Sequence, residues 1–179
     1  DRQNIMEDID FYVSLRATFD QIVCLIAVPE TKLWEMFKRE GRLSDTISWD
    51  DGGFYTTWHN YKNFDNEELW NYEDYALRKC FETWGPSYLR LIDIHMRGYR
   101  KFKYHHSPFF RRVAESHKES CKTLYPLLLC IKMFAPSERV KRITENLEES
   151  LIEEFGRPTI KGKLLSFAVA VIASLRKIE

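Results

Sequence analysis

The stretch IKGKLLSFAVAVIASL, residues 160–175, is apolar on every side of the helix that its composition predicts. A helix that is hydrophobic all round is either buried in a protein core or spans a membrane. The apolar run from Leu164 to Leu175 is interrupted only by Ser166 and Ser174, and it is shorter than the roughly 18–20 residues that a bilayer requires. We therefore expect residues 160–175 to form the buried central helix of the fold.

Six amphipathic segments precede this stretch, and each carries apolar residues at helical spacing. Turn and cap residues delimit them, among them Gly85-Pro86, Ser107-Pro108 and Gly156. Pro126 removes a backbone donor inside the fifth segment, which predicts a kink or a break there. The predicted fold class is mainly all-α: a compact bundle of about six to eight helices around the buried C-terminal helix. The six predicted helices span residues 4–27, 30–40, 66–84, 87–104, 109–134 and 137–155.

Residues 42–64 are the least helical part of the sequence. Asp50-Asp51-Gly52-Gly53 is a strong turn signal, and the aromatic residues around it favour a strand. We predict one irregular aromatic loop or a short hairpin at about residues 42–64. Tyr and Trp are frequent binding anchors, but large rings also cover the end of a helical bundle, and both interpretations stay open. The candidate partner-binding residues are Trp49, Phe54, Tyr55, Trp58 and Tyr61.

The length and composition of the chain suit one globular domain. It has 179 residues, 44% hydrophobic and 30% charged, with a net charge of zero, and a domain of this size buries a sizeable core without disulfides or metal. We predict a single helical domain over residues 1–179. Because the sequence begins at Asp1 and not at Met, we expect that domain to be excised from a longer protein.

Four widely spaced cysteines, Cys24, Cys80, Cys121 and Cys130, form no CxxC pair. Each lies in or beside an apolar helical stripe, where a free thiol behaves as a small hydrophobe. We expect reduced thiols and an intracellular protein, cytoplasmic or nuclear, because disulfides are rare in those compartments. The N-terminal residues show no signal-peptide pattern, and the C-terminal apolar run predicts no membrane span.

The basic-aromatic segment, residues 97–112, is the sharpest local feature. Residues 94–114 hold six Lys/Arg and no acid, whereas residues 45–82 hold nine acids and three Lys/Arg. Cations with interleaved rings suit phosphate contacts and base stacking. The alternatives are a solvated face opposite the acidic helix at 66–84 and a surface for an acidic protein. The candidate nucleic-acid or anion-binding residues are Arg97, Arg100, Lys101, Lys103, His105, His106, Arg111 and Arg112.

No catalytic, nucleotide-binding or metal-binding motif is found. The sequence has no HExxH, GxSxG, Walker loop or GxGxxG, and Cys121 four residues after His117 is more typical of a core stripe than of a reactive thiol. We predict no catalytic residue, no metal, no cofactor and no enzyme activity. The predicted function is a protein–protein interaction or adaptor domain, which binds its partner through the aromatic loop or a helix groove. The alternative is RNA, DNA or phospho-ligand binding by residues 97–112.

Overall fold

The structure is a computed structural model that describes residues 1–44 and 59–176. Within those residues it contains eight helices and no strand, which confirms the all-α fold class. The helices are α1 (Arg2–Ser14), α2 (Lys32–Arg39), α3 (Asn66–Trp84), α4 (Ser87–Phe102), α5 (Pro108–Leu124), α6 (Leu127–Met133), α7 (Glu138–Phe155) and α8 (Ile160–Arg176).

The chain divides into two compact units, and a single domain over residues 1–179 stays a prediction. Unit 1 comprises Asp1–Leu15 and Asp20–Lys79, and unit 2 comprises Arg16–Phe19 and Cys80–Glu179. Unit 1 holds α1, α2 and α3 up to Lys79. The Arg2 guanidinium on α1 pairs with the Glu68 carboxylate on α3, with Nη2 and Oε2 2.8 Å apart.

The predicted helix over residues 4–27 is too long, because α1 ends at Ser14. Arg16 adopts a positive φ of 51°, which an L-residue cannot hold inside an α-helix, and residues 20–28 are not helical. In this segment Val23 and Leu25 are exposed while Ala27 is buried. Its run of Ile, Val and Leu fits an extended chain as well as a helical stripe, so spacing alone does not separate the two.

Turn and cap residues fix the boundaries of the later helices. Asp65 accepts the Glu68 backbone N–H through its side chain and caps α3, and Pro126 separates α5 from α6 as expected. Gly85 joins α3 to α4 with a φ of 77°. A Cβ at Gly85 would lie 2.8 Å from Cγ1 of Val140, so both backbone conformation and space require glycine there.

The core of unit 2 lies among α4, α5, α6 and α7, and the C-terminal helix is not at its centre. These four helices contribute the buried cluster, with Tyr99, Leu124 and Phe155 packed against it. The most buried members are Leu89, Ile92, Met96, Cys121, Leu128, Val140 and Leu151.

The expected burial of the C-terminal helix is wrong. Helix α8 has the predicted bounds within one residue, but its largest side chains are exposed: Leu164 is 66% exposed and Phe167 is 65% exposed. It packs mainly against α6, a helix of seven residues. The described residues of α8 that are buried or partly buried are Gly162, Ser166, Val169, Ala170, Ala173 and Ser174, and its large side chains are left outside.

Most of the predicted aromatic loop lies outside the described residues, which exclude 45–58. At its two ends, Leu43 and His59 form one isolated antiparallel bridge. The His59 ring is buried between the rings of Phe37 and Tyr61, with centroids 4.4 and 4.7 Å away. Burial and the nearby Arg42 charge lower the pKa of His59, so its imidazole is neutral at physiological pH.

Candidate protein-docking surface

The inward face of α8 is built from small residues together with Val169. Ser166 is 6% exposed and Ala170 is 2% exposed, and Gly162, Ala173 and Ser174 are partly buried on the same side of the helix. Gly162, Ser166, Ala170 and Ser174 recur every four residues, a spacing that places them on one face. Small residues at such positions let two helix backbones approach closely.

The two serines of this face satisfy their hydroxyl groups within α8. Ser166 Oγ donates to the Gly162 carbonyl at 3.0 Å, and Ser174 Oγ donates to the Ala170 carbonyl at 2.8 Å. A hydroxyl bonded to the carbonyl four residues earlier needs no partner on another helix. The two buried or partly buried hydroxyl groups therefore need no polar partner on a neighbouring helix.

The outward face of α8 is a continuous apolar surface. At 100° per residue its large side chains span an arc of about 160° around the helix axis. All of them are exposed, and Lys161 in the first turn lies within the same arc. The outward face is defined by Ile160, Leu164, Leu165, Phe167, Val171 and Ile172.

An apolar groove adjoins α8 in unit 2. It has a volume of about 340 Å³, and its walls come from α3, α4, α6 and α8. Phe81 and Tyr88 at its rim are exposed, while Ile131 in its wall is buried. Ala173 is the residue of α8 that lines this groove. Apolar surface is therefore found both on the convex outward face and in a concave groove beside it.

The cations at the start of α8 form no ion pair with the residues that the structure describes. Between Gly156 and Ile178 the sequence carries five Lys/Arg and no acid. Arg157, Lys161 and Lys163 are exposed, and within the part of the chain that the structure describes none of them forms an ion pair. Their positive charge is therefore available to a partner.

In the basic-aromatic segment, in contrast, three of the six Lys and Arg residues pair with two neighbouring acids. Glu154 on α7 pairs with both Arg100 at 3.0 Å and Lys103 at 2.7 Å. These two cations, Lys103 first, lower the pKa of Glu154. Arg97 lies 3.3 Å from Asp93, and Arg111 donates to the backbone carbonyls of residues 105 and 106. The acids responsible lie on α4 and α7, and not on the acidic helix α3.

The other predicted residues of this segment form a ring cluster at the turn between α4 and α5. Lys101 lies over the Phe102 ring, and the rings of His105 and His106 stack at 4.3 Å. His105 Nδ1 accepts a hydrogen bond from the Ser107 backbone N–H. Arg112 is exposed and forms no ion pair within the described residues. Ser107 occupies the N-cap of α5, but its side chain makes no cap hydrogen bond.

Of the five loop residues predicted to bind a partner, Trp49, Phe54, Tyr55 and Trp58 lie outside the described residues. Tyr61 is half-buried, and its hydroxyl donates to the Leu25 carbonyl. Burial raises the pKa of Tyr61 to about 12. Tyr61 therefore holds the extended segment at 20–28 within unit 1.

The Cys and His residues do not form a nucleophilic pair. All four cysteines are free thiols. Burial raises the pKa of Cys121 to about 11, so the thiolate that acts as a nucleophile is not formed at neutral pH. His117 directs its Nδ1 to His95 Nδ1 at 2.9 Å. Sequence reasoning missed this contact because the two histidines are 22 residues apart and on different helices.

The described residues show neither a metal cluster nor a membrane-spanning helix, and the chain has no match among known proteins. Residues 1–44 and 59–176 contain no group of three or more His, Cys, Asp or Glu placed to hold a metal ion. Over the same residues, no helix has both the length and the hydropathy needed to cross a bilayer. The chain matches no protein family, no curated protein and no solved structure.

Proposed function

We propose that this chain is a non-enzymatic protein-interaction domain that binds an amphipathic helix of a partner protein along α8. The observation that carries the proposal is the outward face of α8, on which large apolar side chains are exposed together. Contiguous exposed apolar patches mark interaction sites. Each Leu, Ile or Phe that a partner buries contributes about 1.5–3 kcal/mol, from which the cost of association is subtracted.

The groove beside α8 favours a helix as the docked element. An amphipathic helix inserts apolar side chains at positions i, i+3 or i+4, and i+7 into such a groove. The groove is lined almost wholly by apolar residues, including Leu127, Phe134 and Ala173.

The charge at the start of α8 determines which kind of partner this surface attracts. Arg157, Lys161 and Lys163 are without acidic partners in the described part of the chain, so an acidic partner is attracted and a basic one repelled. A second copy of α8 would bring cations against cations in either orientation, because both ends of residues 157–177 are basic. We therefore infer a partner helix with an apolar stripe and acidic flanking residues.

A synthetic peptide provides the test. The probe is a labelled amphipathic helix of about 18 residues with a Leu stripe and Glu flanks. The matched control has the same stripe and Lys flanks. We expect the Glu-flanked peptide to bind about tenfold tighter at low salt, with a difference that shrinks as salt screens the charges. Fluorescence anisotropy measures both affinities.

Variants of the protein connect that binding to α8. Phe167→Asp and Ile172→Asp should abolish peptide binding, and Glu149→Asp on the exposed side of α7 should leave it unchanged. Two further experiments test the other occupants. One measures binding to vesicles that contain anionic lipid, and the other measures self-association of the protein alone at increasing concentration. Three results would each overturn the proposal. They are binding to vesicles but not to the peptide, self-association through Phe167, and peptide binding that survives Phe167→Asp.

Nucleic-acid binding by residues 97–112 is the weaker hypothesis. Arg97, Arg100 and Lys103 form ion pairs, and a nucleic acid would have to replace those carboxylates. Its test is a gel-shift titration at several salt concentrations, where displaced counterions give a steep negative slope. An absence of binding at low salt would end this hypothesis.

A further inference from the structure

We propose that His95 and His117 form a two-imidazole site for one transition-metal ion of the Zn²⁺, Ni²⁺ and Cu²⁺ class. His95 lies on α4 and His117 on α5, and their Nδ1 atoms are 2.9 Å apart. The ring centroids are separated by 5.2 Å with an interplanar angle of 55°. At this distance the Nδ1–H of one imidazole donates to the Nδ1 lone pair of the other, so both nitrogens point at one position that a metal ion can take over.

Gly98 fixes the orientation of the His117 ring. A Cβ at Gly98 would lie 2.5 Å from Nε2 and 2.6 Å from Cδ2 of His117. The ring therefore lies against the bare α4 backbone, with its Nε2 edge towards Gly98 and its Nδ1 towards His95. Any larger residue at position 98 would displace the ring and separate the two Nδ1 atoms.

The geometry is close to that of two imidazole ligands on one ion. With Zn–N bonds of about 2.0–2.1 Å and tetrahedral angles, two ligating nitrogens lie about 3.3 Å apart. The pair would have to open by about 0.4 Å, a side-chain adjustment, to admit the ion. When both rings are neutral, the imidazole that carried its proton on Nδ1 passes to the Nε2–H tautomer, so no net proton is released.

Both imidazoles are partly buried. Cys121, one turn after His117, is fully buried and does not converge with the pair. With two nitrogen ligands and water in the other positions, the site prefers metals that imidazole suits over Mg²⁺ and Ca²⁺.

The test is a titration of the protein with zinc chloride, in which isothermal calorimetry measures the binding. The variants are His95→Gln and His117→Gln, and the matched control is His106→Gln, which belongs to the stacked pair His105–His106. We expect one Zn²⁺ per chain in the wild type, affinity weakened at least tenfold in either site variant, and no change in the control. Magnesium chloride should give no saturable binding.

A second measurement does not depend on the stability of the variants. Imidazole NMR signals of the wild-type protein should shift for His95 and His117 on zinc addition, and not for His59, His105 or His106. The proposal is overturned if the wild type binds no zinc, if all three Gln variants weaken binding equally, or if zinc shifts other imidazole signals instead.

Discussion

Helices α7 and α8 are both parts of unit 2 and have nearly equal lengths, 18 and 17 residues, but they pack in opposite ways. Helix α7 turns large side chains inward, with Val140 fully buried and Leu151 only 2% exposed. Helix α8 turns small residues inward and leaves Leu164 and Phe167 exposed. The more apolar of the two helices is therefore the one with more large apolar side chains on the surface.

The difference shows that total hydrophobicity does not determine which side of a helix is buried. The charged face of α7 leaves only one side that can pack, so its orientation follows from its pattern. Helix α8 has no charged side after its first turn, and several orientations bury apolar surface. In the structure Ser166 and Ala170 are buried, and the large residues become available for a partner.

Truncating one large side chain in each helix should give the largest contrast. Leu151→Ala in α7 removes a fully packed side chain and should lower the free energy of unfolding by about 2–5 kcal/mol. Leu164→Ala in α8 should change it by less than about 0.5 kcal/mol. Chemical denaturation of both variants measures the difference. Similar losses in both would show that the large residues of α8 are buried in the free protein.

Enlarging a small residue should distinguish the two sides of α8. Ala170→Leu places a larger side chain in the contact with α6 and should destabilise the protein by about 1–3 kcal/mol. Ala168→Leu, on the exposed side, should be neutral within about 0.5 kcal/mol. Thermal unfolding of this pair is the measurement, and a larger effect at Ala168 would contradict the assigned faces.

A smaller effect is expected from the charged face of α7. Glu154→Gln removes the partner of Arg100 and Lys103 and should cost at most about 1 kcal/mol, as for other surface ion pairs. Because folding lowers the pKa of Glu154, its stabilisation is complete above the unfolded value of about 4.3. It is lost as pH falls through the lower folded value.

Unfolding measured from pH 7 down to pH 2 checks this dependence. The wild type should lose more stability than Glu154→Gln below about pH 4.3. Lys163→Gln at the start of α8 serves as the control, because Lys163 forms no ion pair in the described residues, and its pH profile should follow that of the wild type. Parallel profiles for the wild type and Glu154→Gln would contradict the prediction.

Much of the fold was predictable because its signals are local. Gly85, Pro126 and Ser137 end or begin helices through their own backbone and side-chain chemistry, and α3 has the predicted bounds. The prediction of one helix over residues 4–27 was wrong because the apolar run at 22–28 suits either a helix or an extended chain. The positive φ of Arg16 decides between them, and nothing local to the sequence specifies it.

The candidate surfaces were harder to predict because they depend on contacts between distant residues. Asp93 lies four residues before Arg97, and this helical spacing predicts their ion pair. Glu154 lies near Arg100 and Lys103 only because α7 packs beside α4, which the sequence does not show. The pairing of His95 with His117 likewise needs the α4–α5 contact. The outward face of α8 was missed because an apolar helix alone does not show which side packs.

Thiol labelling of α8 measures which of its two sides is exposed in the folded protein. Phe167→Cys and Ala170→Cys are compared by reaction with a water-soluble maleimide under native conditions, with peptide mass spectrometry to separate these sites from the four native cysteines. The exposed face predicts rapid labelling at position 167, at a rate near that of the unfolded chain, and strong protection at position 170. Protection at 167, or labelling at 170 that is as fast as at 167, would contradict the account.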